Sequence, residues 1–188
     1  MKPKLQTVPL IALVLAAAMM PHAFMAQEAN TPLETTKVVY AFTNWVGQTR
    51  SGYLSSVINW TPDFAATGFT NVIAKMKPDK QTVYMLHREA ADSVTVRVVE
   101  CDTVRSAHEG LVELLSNCSA PQPLPDGKLA GLDIGDKCYV GYPTNAPLGV
   151  LFVRNNLLIR IDTVQSNINI PSIARALDNQ VKTRSGQR

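Results

Sequence analysis

The sequence of 188 residues has little net charge and no compositional bias. It has 18 lysines and arginines and 15 aspartates and glutamates, which gives a formal net charge of only +3. So small an excess of positive charge gives no electrostatic case for a nucleic-acid or anionic-lipid partner. The 12 prolines and 10 glycines follow no regular period, and 46% of the residues are hydrophobic. The chain is therefore neither collagen-like nor disordered.

Apolar runs long enough to cross a membrane are also lacking, and the run at the N-terminus contains eleven residues, Leu10–Met20. A spanning helix needs about 20 apolar residues. Lys2 and Lys4 precede this run and Pro21 follows it, which is the order of a secretory signal. We therefore expect residues 1–26 to be a signal peptide and the protein to be exported, to the periplasm or the medium, with no stable membrane anchor after its removal. An uncleaved anchor is the alternative.

Motifs for the common catalytic and metal sites are missing. The sequence contains no HExxH, CxxC or GxSxG pattern and no glycine-rich phosphate loop. His87 and His108 are interpreted as surface histidines, since neither belongs to a set of converging ligands. Cys101 could pair with one of them as a nucleophile, but its surroundings match no such setting. No catalytic residue, metal ligand or cofactor is predicted. Asp126, Asp133 and Asp136 are interpreted as a solvated loop, since their spacing does not fit a calcium loop.

Only three cysteines are present, Cys101, Cys118 and Cys138. An exported chain meets an oxidising environment, and three cysteines allow one internal disulfide. A helix predicted after Cys101 would carry Cys118 about 20 Å away from it, too far for a bond. Cys118 and Cys138 bracket a connection rich in proline and glycine, so we expect the disulfide there and a buried thiol at Cys101. Three unpaired cysteines are the alternative.

Hydrophobic periodicity and turn residues predict the secondary structure. In chain order they indicate a strand at Val38–Phe42, a helix over 63–77, strands at Gln81–His87 and 94–99, a helix over 103–116, a strand at Cys138–Tyr142, strands at Val150–Arg154 and Leu157–Ile161, and a helix over 171–183. The Asn155-Asn156 pair between two apolar runs is typical of a hairpin turn. The fold class expected is α+β in two layers, a mainly antiparallel sheet with two or three helices packed on one face.

These elements suggest one domain. Residues 27–36 are polar and are expected to form a flexible mature N-terminus, 37–184 a single α+β domain, and 185–188 a frayed tail. Trp45 and Trp60 each follow an asparagine and stand between polar turns. Core edges fit them better than a binding surface, because tryptophan is usually mostly buried, but a binding surface remains the other candidate.

Four segments between residues 64 and 183 carry a likeness to a known group of proteins. They read VTVRVVECDTVRSAHEGLVELL, IGDKCYVG, LFVRNNLLIRI and IARALDNQV. In order and pattern they resemble exported bacterial domains of unknown function. The resemblance implies a bacterial envelope or secreted protein and assigns no functional residue.

The expectation for function is an exported, non-enzymatic domain that binds an unknown protein or small ligand or assists envelope structure. The alternative is a hydrolase or thiol-dependent enzyme with an unrecognised site. Converging His87, His108 and a cysteine in a cleft would favour the enzyme.

Overall fold

An antiparallel sheet of six strands and two α-helices make up the part of the chain that the computed structural model describes, residues 45–50, 57–88, 93–117 and 124–186. The strands are β1 (Asn71–Met76), β2 (Gln81–His87), β3 (Ser93–Glu100), β4 (Lys137–Val140), β5 (Gly149–Arg154) and β6 (Leu157–Asp162). The helices are α1 (Val104–Ser116) and α2 (Ile170–Gly186). The strand order is β1-β2-β3-β6-β5-β4, and every neighbouring pair is antiparallel. The α+β class and the antiparallel sheet are confirmed.

Both predicted hairpins are present. β2 has the bounds that the sequence predicts and pairs with β3, with Tyr84 opposite Val96. β5 pairs with β6 around Asn155-Asn156, with Phe152 opposite Ile159. Asn155 has a φ of 53°, in the left-handed region that asparagine tolerates better than most residues. The local turn chemistry therefore determines the register of this hairpin.

The helices cover opposite faces of the sheet. Val150 and Phe152 belong to a main core that includes Ile173 and Leu177 of α2. Leu151 and Val153, which alternate with them on β5, belong to a second cluster with Ala107 and Leu111 of α1. Since successive side chains of a strand point to opposite faces, α1 and α2 pack on different sides. The prediction of two layers with the helices on one face is wrong, because β5 and β6 are largely buried on both faces.

The predicted helix over 63–77 is also wrong. A short 3₁₀ turn occupies Ala65–Thr67, and the edge strand β1 follows it. Val72 lies opposite Leu86 of β2 and Ile73 opposite Met85. The spacing of Phe69, Val72, Ile73 and Met76 imitates a helical face, but all six residues of β1 are exposed and only Phe69 enters the core. The backbone pairing with β2 prevails over the helical period.

Both helices are close to their predicted bounds. Thr103 begins α1 with a capping box, in which its Oγ1 accepts a hydrogen bond from the Ser106 backbone N–H at 2.9 Å. α2 continues through Ser185 and Gly186, which the sequence assigns to a frayed tail, since Ser185 is buried. Neither helix combines the length and apolar character needed to cross a membrane, within the residues described. The predicted strand Val38–Phe42 lies outside the described residues.

Candidate functional site

A buried polar cluster surrounds the β5–β6 turn. We call it the turn cluster, and its members are His108, Asp136, Arg154, Asn155, Asn156 and Asp178. Arg154 donates from Nε to Asp178 Oδ1 at 2.9 Å, from Nη2 to Asp178 Oδ2 at 3.2 Å and from Nη1 to Asp136 Oδ1 at 3.4 Å. The side chains of all three are 0% exposed. The buried charges of Arg154, Asp136 and Asp178 compensate one another only while all three side chains are present.

Each carboxylate of the turn cluster also accepts backbone hydrogen bonds. Asp178 accepts from the Gly135 N–H at 3.1 Å and pairs with Lys182 Nζ at 2.9 Å. Asp136 accepts from the backbone N–H groups of Arg50 at 3.0 Å and Asn155 at 2.8 Å. The interpretation of Asp136 as a solvated loop residue is wrong, because its carboxylate binds the hairpin turn.

His108 is buried, so its interpretation as a surface histidine is wrong. Its Nδ1 accepts from the Gly47 N–H at 2.9 Å, and its Nε2 lies 3.3 Å from Asp136 Oδ2. An accepting Nδ1 places the hydrogen of the neutral ring on Nε2, where it donates to Asp136. The Trp45 ring lies 4.9 Å from the His108 ring, centroid to centroid. Both ring nitrogens are therefore occupied by structural partners.

The Asn156 side chain binds a second segment, which contains Ile58, at the same end of the sheet. Its Oδ1 accepts from the Ile58 N–H at 2.8 Å, while its Nδ2 donates to the carbonyls of Ile58 at 3.1 Å and Cys101 at 3.0 Å. The segments on either side of residues 51–56 are thus bound to the turn cluster, 45–50 through His108 and Asp136 and 57–60 through Asn156. Because these side chains are buried, the turn cluster positions the backbone and offers no substrate access.

The two described thiols lack the setting of a nucleophile. Burial raises the pKa of the Cys101 thiol, Asp102 raises it further, and Lys80 acts in the opposite direction. Burial also raises the pKa of Cys138, whose thiol is free and buried. A nucleophilic cysteine needs a lowered pKa or an adjacent base. Since the Cys138 thiol is free, the structure does not show the predicted Cys118–Cys138 disulfide, although Cys118 itself lies outside the described residues.

The structure does not bring His87 near Cys101. His87 pairs with Ser93 at the start of β3, and Cys101 follows the other end of that strand. Eight strand residues extend over about 25 Å. Across the described ranges, no group of three or more histidine, cysteine, aspartate or glutamate side chains could hold a metal ion.

Trp45 and Trp60 belong to different parts of the molecule. Trp60 is 8% exposed and lies in the main core on the α2 side. Trp45 is half-buried and packs against the second cluster on the α1 side. The two rings therefore do not form one common surface, and contact of either with a partner stays a prediction.

A surface pocket of about 510 Å³ lies on the α1 side, where α1 ends over β5 and β6. Its size is within the range of about 300–1,000 Å³ that is usual for small-molecule sites. We call it the leucine pocket, after Leu114, Leu115, Leu124, Leu148 and Leu151, and its other lining residues are Asn117, Gly141, Tyr142, Gly149, Arg160, Asp162 and Thr163. A Cβ on Gly149 would lie 3.3 Å from Asp162 Oδ1, so glycine keeps the pocket wall open there.

One wall of the leucine pocket carries charge. Arg160 Nε donates to Asp162 Oδ1 at 3.0 Å and to Oδ2 at 2.7 Å. Arg97, on the neighbouring strand β3, donates to the same carboxylate. Two guanidinium groups thus share one carboxylate, and one of them, Arg160, lines the pocket together with Asp162. The side chain of Arg160, which lines the pocket, is 44% exposed and can reach a ligand.

Comparison with protein-family models, curated proteins and solved structures found no match to this chain. The leucine pocket and its charged wall are therefore the observations from which a function can be argued. None of their residues is a candidate from the sequence alone. The available signal is Arg160, a single charge within the otherwise apolar run LLIRI.

Proposed function

We propose that the protein is an exported, non-enzymatic binding domain that holds a small amphipathic anion in the leucine pocket. The observation that carries this proposal is the junction of five leucines with Arg160 and Asp162 in one pocket, where Arg97 also pairs with the aspartate. An apolar lining with a few oriented polar groups is typical of small-molecule sites. The fatty-acid type of ligand, an alkyl chain with one carboxylate, has the matching chemistry.

The apolar part of such a ligand would displace water from the leucine side chains. Burial of apolar surface contributes about 25 cal/mol per Å², so a short alkyl chain suffices for measurable affinity. The anionic group would replace Asp162 as a partner of Arg160. An exposed ion pair is worth about 0–1 kcal/mol, so the exchange costs little. Arg97 keeps Asp162 compensated during this exchange.

Features elsewhere in the fold favour binding over the alternative, a hydrolase or thiol-dependent enzyme. The turn cluster is closed to solvent, and both ring nitrogens of His108 are engaged. The raised pKa of Cys101 keeps its thiol protonated at neutral pH. Among its described lining residues the leucine pocket has no histidine or cysteine.

Export rests on the leader at residues 1–26 and is tested separately from binding. Protein recovered from outside the cytoplasm should begin between Ala23 and Asn30, because a signal peptidase removes the apolar run. Intact-mass measurement of that fraction reads the new terminus directly. A chain that retains Met1 there would exclude cleavage and favour an uncleaved anchor.

Binding is tested with dansyl-undecanoic acid as a fluorescent probe. We expect its emission to rise with wild-type protein, and Leu114→Asp to weaken binding at least about tenfold, because a carboxylate in the pocket repels the anion and disrupts the apolar lining. The matched control is Leu129→Asp. Leu129 is 88% exposed and does not line the pocket, so that variant should bind like the wild type.

The charged wall is tested with the same probe and a neutral analogue. Arg160→Gln should weaken the dansyl acid about tenfold and leave the corresponding dansyl alcohol unchanged, because a hydrogen bond to a charged group is worth about 1.5–3 kcal/mol. Equal affinity of wild type and Leu114→Asp would exclude the leucine pocket as the site. Equal affinity of the wild type for the acid and the alcohol would exclude the preference for an anion, but it would not exclude the leucine pocket as the site.

A further inference from the structure

β1 is an edge strand that nothing in the described structure covers. Its apolar side chains are exposed on both faces, with Val72 and Ile73 each 41% and Met76 83% exposed. Natural sheets usually shield such an edge with charges, proline, a bulge or a covering segment. β1 has one charge, Lys75, and no proline. It is therefore an edge with the chemistry for strand addition.

The opposite edge of the sheet is shielded. There the Val140 N–H donates to the Pro125 carbonyl at 3.0 Å, and the Gly127 N–H donates to the Cys138 carbonyl at 2.7 Å. These bonds use the outer side of β4, on which an isolated bridge joins Asp126 to Tyr139. The contrast leaves β1 as the edge available for pairing.

The backbone of β1 presents its outward hydrogen-bonding groups at alternate residues. The Lys77 N–H donates to the Gln81 carbonyl at 2.7 Å, next to β1, and sets the alternation with β2. In an antiparallel ladder every second residue then bonds to the same neighbour. Ile73 and Lys75 therefore bond to β2, whereas the N–H and C=O groups of Val72, Ala74 and Met76 point away from it.

We propose that β1 pairs antiparallel with β1 of a second copy of this chain, with Ile73 opposite the partner's Ile73, so that the two sheets become continuous. A two-fold axis normal to the sheet produces this self-complementary contact. Val72 then exchanges its outward hydrogen bonds with the partner's Ala74, and Ala74 does the same with the partner's Val72. Ile73 packs against the partner's Ile73 at the axis, where side chains approach closely.

Charge favours this register among the antiparallel pairings of β1 with a second copy. Lys75 lies opposite the partner's Asn71, and the two lysines are four residues apart along the ladder, about 13 Å. A pairing centred on Ala74 would bring the lysines to diagonal positions about 7–8 Å apart, where they repel. A pairing centred on Ile73 thus joins the exposed apolar side chains and keeps the like charges separate. The strand is complementary to itself without any foreign sequence.

The oligomeric state of the full chain after leader removal tests the proposal. Light scattering on the eluting protein should give twice the mass of one chain at about 100 μM, with dissociation on dilution, since such a short pairing is weak. Ala74→Pro should give one chain mass at the same concentration. It removes an outward N–H and leaves the bonds to β2 intact, and proline is tolerated on edge strands. The matched control Ala74→Thr keeps the N–H and should remain dimeric.

A cross-link tests the register and does not depend on whether Ala74→Pro folds. Ile73→Cys should form a covalent dimer on mild oxidation, because opposite residues at the axis have Cα atoms about 4.5 Å apart, within disulfide reach. Lys75→Cys, about 13 Å from its counterpart, should not exceed the wild-type background from the native cysteines.

A single chain mass at every concentration, or a dimer that Ala74→Pro leaves intact, would overturn the proposal. A monomer whose β1 amides are protected from hydrogen exchange would also overturn it, because the edge would then be covered within one chain. A dimer that cross-links at Lys75→Cys and not at Ile73→Cys would exclude the register.

Discussion

Replacing Arg154 with methionine should lower the free energy of unfolding by about 3–5 kcal/mol. The substitution keeps an unbranched apolar chain of similar length and removes three hydrogen bonds to Asp136 and Asp178. Both carboxylates then stay buried beside fewer positive charges, and an uncompensated buried charge is strongly destabilising. Equilibrium unfolding in urea, followed by tryptophan fluorescence, measures the loss.

An exposed ion pair provides the matched control. Arg105 Nε donates to Glu109 Oε1 at 2.8 Å within α1, and the two side chains are 70% and 55% exposed. Arg105→Met should change the stability by less than about 0.5 kcal/mol, because water and salt screen such pairs. Equal effects of Arg154→Met and Arg105→Met would contradict the compensated, buried pair at the centre of the turn cluster.

Local patterns were sufficient to predict much of the fold. The alternation in VTVRVV gives β3 one face in the main core, and Asn155-Asn156 gives the β5–β6 turn, because both signals act between residues close in sequence. The sequence wrongly predicts a helix for β1, because the side chains of this strand are exposed on both faces. With no buried face, its apolar residues keep no period of two, and their spacing fits a helix by coincidence.

The layer arrangement could have been predicted from a signal that was present. Val150–Val153 and Leu157–Ile159 are continuous apolar runs rather than alternating ones. A strand with this pattern is buried on both faces, which requires cover on both sides. The prediction of helices on one face leaves one side of these strands uncovered, whereas the composition of β5 and β6 requires α1 and α2 on opposite faces.

The turn cluster could not be predicted from the sequence in the same way. His108 and Asp136 are 28 residues apart, and Arg154 and Asp178 are 24 residues apart, so only the tertiary fold brings them together. A charged residue at the end of an apolar strand is usually exposed, and nothing near Asp136 distinguishes it from Asp126 or Asp133. The leucine pocket could not be predicted for the same reason, because α1, β5 and β6 contribute its wall from segments that are distant in sequence.

Replacing Phe152 with alanine should cost about 3–5 kcal/mol, by a mechanism different from that of Arg154→Met. Phe152 is 0% exposed and lies in the main core, between Cys138 of β4 and Ile159 of β6. Truncation removes its transfer free energy and leaves a cavity that the surrounding strands and α2 cannot fill. Urea unfolding should show a lower midpoint with an unchanged slope. A loss under about 1 kcal/mol would exclude Phe152 from the core.

Two further variants separate the cavity mechanism from the charge mechanism on the same strand. Phe152→Leu retains most of the apolar volume and should recover all but about 1.5 kcal/mol, because a core tolerates hydrophobic exchange of similar size. Arg154→Lys retains the charge but cannot reproduce the planar fork that binds Asp178, so it should recover only part of the loss. Val164→Ala, at an 87% exposed residue, should stay within about 0.5 kcal/mol of the wild type. Full recovery by Arg154→Lys would mean that charge alone, rather than the directed hydrogen bonds, stabilises the turn cluster.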